Sequence, residues 1–150
     1  MGSGSPTALT ALRPHEAAVL TALVEAYCRP EPALPPVAST DAVAFVDRFA
    51  ADSRFLNRTV FKAMLRALDV APFIAGERRR FTRLDPDRRA RFVNALDGSR
   101  FQLLPIISKL LKTLTLMSYY GDLGVLRAAG YDPHANVERG RALRAKEGRP

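Results

Sequence analysis

Apolar residues recur at spacings of three and four along most of the chain, and no segment shows sustained alternation with a period of two. The sequence therefore predicts helices and no strands. Pro14 suits a first helical position, because its missing N–H needs no partner there. After it, Val19, Leu20, Leu23, Val24 and Tyr27 form one apolar stripe. Pro30, Pro32, Pro35 and Pro36 end that helix and hold the next residues extended. Ser39 or Thr40 is placed to cap a second helix whose Ala42, Phe45, Val46 and Phe49 face inward. Asn57 is placed to cap a third, bearing Val60, Phe61, Met64, Leu65 and Leu68, with Pro72 ending or bending it and Gly76 closing the segment. Asp85-Pro86 starts a fourth, with a capping carboxylate before a first-position proline; Phe92, Val93 and Leu96 form its inner face, and Gly98 stops it.

The fifth segment has the strongest pattern. From Ser99 onward, Leu103, Ile106, Ile107, Leu110, Leu111, Leu114 and Met117 follow at spacings of 3, 1, 3, 1, 3 and 3, with Lys109 and Lys112 on the wet side. Burying seven such side chains would contribute roughly 10–15 kcal/mol as an upper bound. This helix is expected to be the spine of the domain, kinked at Pro105 or truly starting there. Tyr119-Tyr120-Gly121 ends it, with the glycine as a left-handed stop, and a short helix from Leu123 to Ala129 follows, stopped by Gly130. The expected fold is all-α: a single compact bundle of five to six helices around that long central apolar helix. Residues 1–8 read as a flexible start and 9–133 as the helical domain. The basic tail, 134–150, has no apolar stripe and is expected to be flexible, frayed or a lone polar helix.

Composition narrows the possible functions. With 150 residues, 47% hydrophobic and 25% charged, the chain matches one soluble domain rather than a disordered segment. Its longest run without a charge is the polar first twelve residues; the nine from Thr113 to Gly121 are shorter still, and both are too short for a membrane helix. One cysteine, Cys28, excludes an internal disulfide and a Cys-built zinc site. The two histidines, His15 and His134, lie near opposite ends of the chain.

The net charge is +8, from 23 basic and 15 acidic residues, and the pI is near 10.4. The excess is concentrated. Arg78, Arg79, Arg80, Arg83, Arg88, Arg89 and Arg91 face Glu77, Asp85 and Asp87, and the tail adds Arg139, Arg141, Arg144, Lys146 and Arg149 against Glu138 and Glu147. Such clusters attract nucleic acid, acidic lipid or an acidic protein face, although a solvated surface is the plainest reading. Phe81 among the arginines could stack on a base, but with Leu84 before a capped helix it suits a hydrophobic staple better.

No catalytic constellation emerges from the residue types. The scattered glycines make neither a phosphate loop nor a dinucleotide fingerprint. Asp41, Asp47 and Asp52 on one helix lack the histidines of a di-metal site. Cys28 has only Arg29 nearby to activate it and reads as a core thiol. Tyr119, Tyr120 and Tyr131, grouped around the end of the fifth helix, form either a binding surface or a core edge.

Six segments in order carry a likeness to a known family. They are Leu9-Thr10-Ala11-Leu12-Arg13-Pro14-His15-Glu16, Asp41-Ala-Val-Ala-Phe-Val-Asp47, Phe81-Thr-Arg-Leu84-Asp-Pro86, the helix bearing Lys109 to Lys112, Ser118-Tyr-Tyr-Gly-Asp122 and Arg127-Ala-Ala-Gly130-Tyr131-Asp-Pro133. From about Leu9 to Pro133 this order resembles the gluconate 2-dehydrogenase subunit 3 family, small helical subunits that accompany FAD-dependent GMC-type dehydrogenases. A similar segment precedes the flavoprotein part of long-chain alcohol oxidases. The resemblance implies a non-catalytic accessory subunit with no cofactor of its own. FAD, the catalytic histidine and the pocket for an alcohol, sugar or sterol would then lie on a large flavoprotein partner. The expected contact surface is Tyr119, Tyr120, Tyr131, Asp132 and Pro133, with Arg78, Arg79 and Arg80. A small basic nucleic-acid-binding module is the alternative, and a self-associating bundle the third reading. Family members often carry a twin-arginine export signal. The N-terminus here has neither paired arginines nor a basic region before an apolar core, which implies a cytoplasmic location, or a periplasmic one if a signal was removed.

Overall fold

A computed structural model describes residues 8–146 and Gly148. Within them lie seven α-helices and no strand: α1 (Pro14–Cys28), α2 (Ala42–Asp52), α3 (Phe55–Pro72), α4 (Pro86–Asp97), α5 (Leu103–Tyr120), α6 (Leu123–Ala128) and α7 (Pro133–Lys146). The fold is all-α, with one or two helices more than the sequence predicts, because 133–146 is itself helical.

Most helix ends follow local chemistry. The Asp85 carboxylate accepts the Arg88 N–H at 2.9 Å and Pro86 occupies the first position of α4. Asp122 accepts the Gly124 and Val125 N–H groups at the start of α6, and Asp132 accepts those of His134 and Ala135 at the start of α7. Pro105 falls in the first turn of α5, where no backbone donor is required, so the helix starts at Leu103 rather than kinking. Other ends depart from expectation. Asn57 lies inside α3, which starts at Phe55. Gly121 has φ −79°, not a left-handed value; glycine is needed there because a Cβ would come within 2.5 Å of the Met117 carbonyl oxygen.

The core is organised by α1, not α5. Val19, Leu20, Leu23 and Val24 are fully buried, and α1 packs against α2, α3, α4 and α5. Of the seven residues expected to be the buried face of α5, only Leu111 is buried; Ile107 and Leu114 are partly covered, and Leu103, Ile106, Leu110 and Met117 are exposed. The helix instead turns Ser108, Leu111, Thr115, Ser118 and Tyr119 inward. This inversion is inexpensive because the hydroxyls are satisfied at short range. Thr115 donates to the Lys112 carbonyl at 2.9 Å, Ser118 donates to the Thr115 carbonyl at 2.9 Å, and Ser108 bonds to Tyr27 and Asp97.

Buried charge ties the remaining elements together. The Asp47 carboxylate on α2 accepts three consecutive backbone N–H groups, from Thr10, Ala11 and Leu12, in the arm that leads into α1. Glu16 on α1 meets Lys62 and Arg66 on α3. Arg89 on α4 donates to the carbonyls of Phe81 and Thr82 and pairs with Glu25 on α1.

Candidate docking face

The residues displaced from the core gather on one side of the molecule. Helix α2 is apolar on two faces: Ala42, Val46 and Ala50 point into the core, while Phe45 and Phe49 point outward. Helix α3 has the same division, with Leu65 and Leu68 inside and Leu56 and Val60 outside. With Leu110 and Met117 of α5 they border a groove of about 570 Å³, floored by Phe61, Met64, Leu111 and Leu114. Among the described residues its only polar side chains are Asn57 and Thr113, and no charged residue lines it. Leu56 is 70% exposed, Leu110 63%, Met117 59% and Phe49 56%. A contiguous apolar patch of this kind, unlike isolated surface leucines, marks an interaction surface.

Phe45 and Phe49 were expected inward and are exposed because α2 buries the small residues of its stripe, Ala42, Val46 and Ala50, leaving the rings on its flank. Leu110 and Met117 were missed for a related reason. Two stripes at spacings of three and four run along α5, and apolar periodicity favours the larger side chains over the hydroxyl face that packs.

Not all of the residues expected to form a contact surface are accessible. Tyr119 is fully buried and donates its hydroxyl to the Pro35 carbonyl at 2.7 Å, so it fastens the proline-rich connection to α5 and can touch no partner. Tyr120 packs edge-on against it, with ring centroids 5.1 Å apart, and is partly exposed. Tyr131 is exposed, Asp132 is occupied as the α7 cap and Pro133 is the first residue of that helix. Arg78, Arg79 and Arg80 line a separate cleft with Phe73 and Arg83.

Side chains with chemical potential are closed off. Cys28 is buried, and burial pushes its thiol up to about 11. In the folded protein its alkylation at about pH 8 should be roughly two orders of magnitude slower than in the urea-unfolded chain, because the thiolate fraction falls by that factor. Equal rates in a thiol-trapping assay would show that the site is open. Ser108 is hydrogen-bonded to Tyr27 and Asp97 but is fully buried, with no approach for a substrate. Asp69 is fully buried on α3; its Oδ1 accepts from the Thr82 N–H and hydroxyl, while Oδ2 has only His15 at 3.4 Å and Arg80 at 3.8 Å. Among the described residues no three His, Cys, Asp or Glu side chains are grouped to hold a metal ion, and no helix is long and apolar enough to cross a membrane.

No family model, curated protein or solved structure matches the chain.

Proposed function

We propose that this protein is a non-catalytic accessory subunit that docks, through the α2–α3–α5 face, onto an FAD-dependent GMC-type oxidoreductase acting on an alcohol, sugar or sterol. The observation that carries the docking role is the uncharged groove between Phe49, Val60 and Leu110, whose apolar walls are left open by the packing of their own helices. The ordered likeness to the gluconate 2-dehydrogenase subunit 3 family supplies the class of partner. In this reading the flavin and the chemistry belong to the partner, and this chain contributes apolar area that the partner buries.

Co-expression of the tagged chain with the flavoprotein tests the reading. Wild type should recover a stoichiometric partner carrying the visible absorption bands of flavin. Val60→Asp or Leu110→Asp places a charge in the groove and should weaken the complex by more than about 2 kcal/mol, roughly thirtyfold in Kd. Unimpaired assembly of both variants would remove the groove from the interface. A colourless self-associated species would replace this reading with a homo-oligomeric one.

A further inference from the structure

A second exposed surface differs from the groove in chemistry. Helix α3 ends at Pro72 and passes into a π-helical turn, Phe73–Glu77. Phe73 and Ile74 project at its tip, and Ile74, 80% exposed, is the most exposed large hydrophobic residue of the protein among those described. The chain then reverses through two left-handed residues, Gly76 at φ 97° and Arg78 at φ 53°. A left-handed arginine is strained, and such strain persists where the surroundings fix the loop.

The reversal places Arg78, Arg79, Arg80 and Arg83 beside Phe73 around a cleft of about 670 Å³. All four arginines are exposed. Arg80 has Asp69 at 3.8 Å, and among the described residues Arg78, Arg79 and Arg83 have no carboxylate in salt-bridge range. The root of this loop is firm, since Phe81 is fully buried, Thr82 is bonded to Asp69 and Arg89 holds both carbonyls. A rigid base thus presents an apolar tip and, beside it, three unpaired guanidinium groups.

We propose that the Phe73–Arg83 loop binds the surface of an anionic lipid bilayer. Ile74 and Phe73 would enter the boundary between headgroups and acyl chains, while Arg78, Arg79 and Arg83 engage lipid phosphates and carboxylates. One apolar insertion is marginal as an anchor, but combined with a basic patch it meets the two-signal requirement for stable peripheral binding. A nucleic acid would use the same arginines and could stack a base on Phe73, but it has no use for a projecting isoleucine, which offers no flat face. The aliphatic tip therefore favours the bilayer. This surface is separate from the docking groove and does not depend on it.

Co-sedimentation of the full chain with lipid vesicles tests the proposal, comparing pure phosphatidylcholine with the same lipid containing about 30% phosphatidylserine at about 0.1 M salt. Binding is expected to the anionic vesicles only and to weaken as salt rises. Each arginine removed should lower the partition coefficient about fivefold, so Arg78→Gln with Arg79→Gln and Arg83→Gln should lower it about a hundredfold. Ile74→Asn should weaken binding with its salt dependence unchanged. Leu110→Asp, in the groove, should bind as wild type does, which separates failure of this proposal from failure of the docking reading. All these side chains are exposed, so an unchanged helical circular dichroism spectrum should accompany each loss.

Absence of binding to anionic vesicles would overturn the proposal. So would equal binding to neutral ones, or an equal loss when Arg139, Arg141 and Arg144 of α7 are replaced by Gln instead. An arginine-dependent shift of an oligonucleotide that ignores Ile74→Asn, with no vesicle binding, would reassign the loop to nucleic acid.

Discussion

Replacing Asp47 by Ala should lower the unfolding free energy by about 3–5 kcal/mol, a large part of the stability of a domain this size. The carboxylate is 3% exposed and receives the N–H groups of Thr10, Ala11 and Leu12 at 2.7, 2.9 and 2.7 Å. Each is a charge-assisted bond, and removing the acceptor leaves three adjacent donors with no replacement from secondary structure. The loss should extend beyond the contact itself. The arm carries Leu12 into the core and sets the entry into α1, the helix on which four others pack. Asp47→Asn keeps one acceptor oxygen and should lose about half as much. Urea denaturation followed by circular dichroism measures both variants. A loss below about 1 kcal/mol for Asp47→Ala would mean that water satisfies the arm equally well.

Glu16→Gln should cost about 2–4 kcal/mol, because it removes the charge that compensates two cations while keeping the side-chain shape. Glu16 is 1% exposed; it accepts the Arg13 N–H at 2.9 Å and lies 2.7 Å from Arg66 and 3.3 Å from Lys62. Burial alone would raise its pKa, but the Arg13 N–H, Arg66 and Lys62 together hold it below the ordinary carboxylate value. Asp47 follows the same pattern: burial raises it, and the Thr10, Leu12 and Ala11 N–H groups more than reverse the effect. Both carboxyls therefore bind a proton more readily in the unfolded chain than in the folded one. Their contribution is complete above the unfolded values of about 4 and disappears as pH falls through the lower folded values. The wild-type melting temperature should drop on acidification from about pH 6 to about pH 3, and the Glu16→Gln, Asp47→Asn double variant should show a much flatter profile. Parallel profiles would assign acid sensitivity to other carboxylates.

Glu16 closes the first of the quoted segments and Asp47 the second, and the structure bonds Asp47 to residues 10–12 within the first. Asp122, in the fifth segment, likewise holds the Asp41 N–H of the second at 2.9 Å as well as capping α6. Polar residues thus join segments far apart in the chain. The open apolar face takes Phe45 from the second segment and Leu110 and Met117 from the helix bearing Lys109 to Lys112, and adds outward residues of α3 that lie outside the segments.

Local signals were sufficient for the helices and many of their boundaries. Pro14 and Pro86 at helix starts, Asp85 as a cap, Pro72 at the end of α3 and the burial of Val19, Leu20, Leu23 and Val24 all follow from neighbours within a few residues. Phe81 is buried as the staple pattern predicts, which leaves the neighbouring arginines outside. The docking face was not legible by the same reasoning, because α2, α3 and α5 each offer more than one apolar stripe and periodicity does not say which one finds a partner.

The sequence by itself determined an all-helical chain, the main stops and starts along it, the apolar centre of α1 and two concentrations of positive charge. Only the tertiary structure decided that α1 rather than α5 is the hub, that Tyr119 is internal and that Leu110, Met117, Phe49 and Val60 share an open groove. The physical reason is that helix formation depends on neighbours a few positions away, whereas burial depends on which faces fit closely and satisfy their polar groups. On α5 the small hydroxyl face of Ser108, Thr115 and Ser118 meets both conditions, with Ser108 and Thr115 against Tyr27 and Cys28 of α1, and the bulkier stripe is left facing outward.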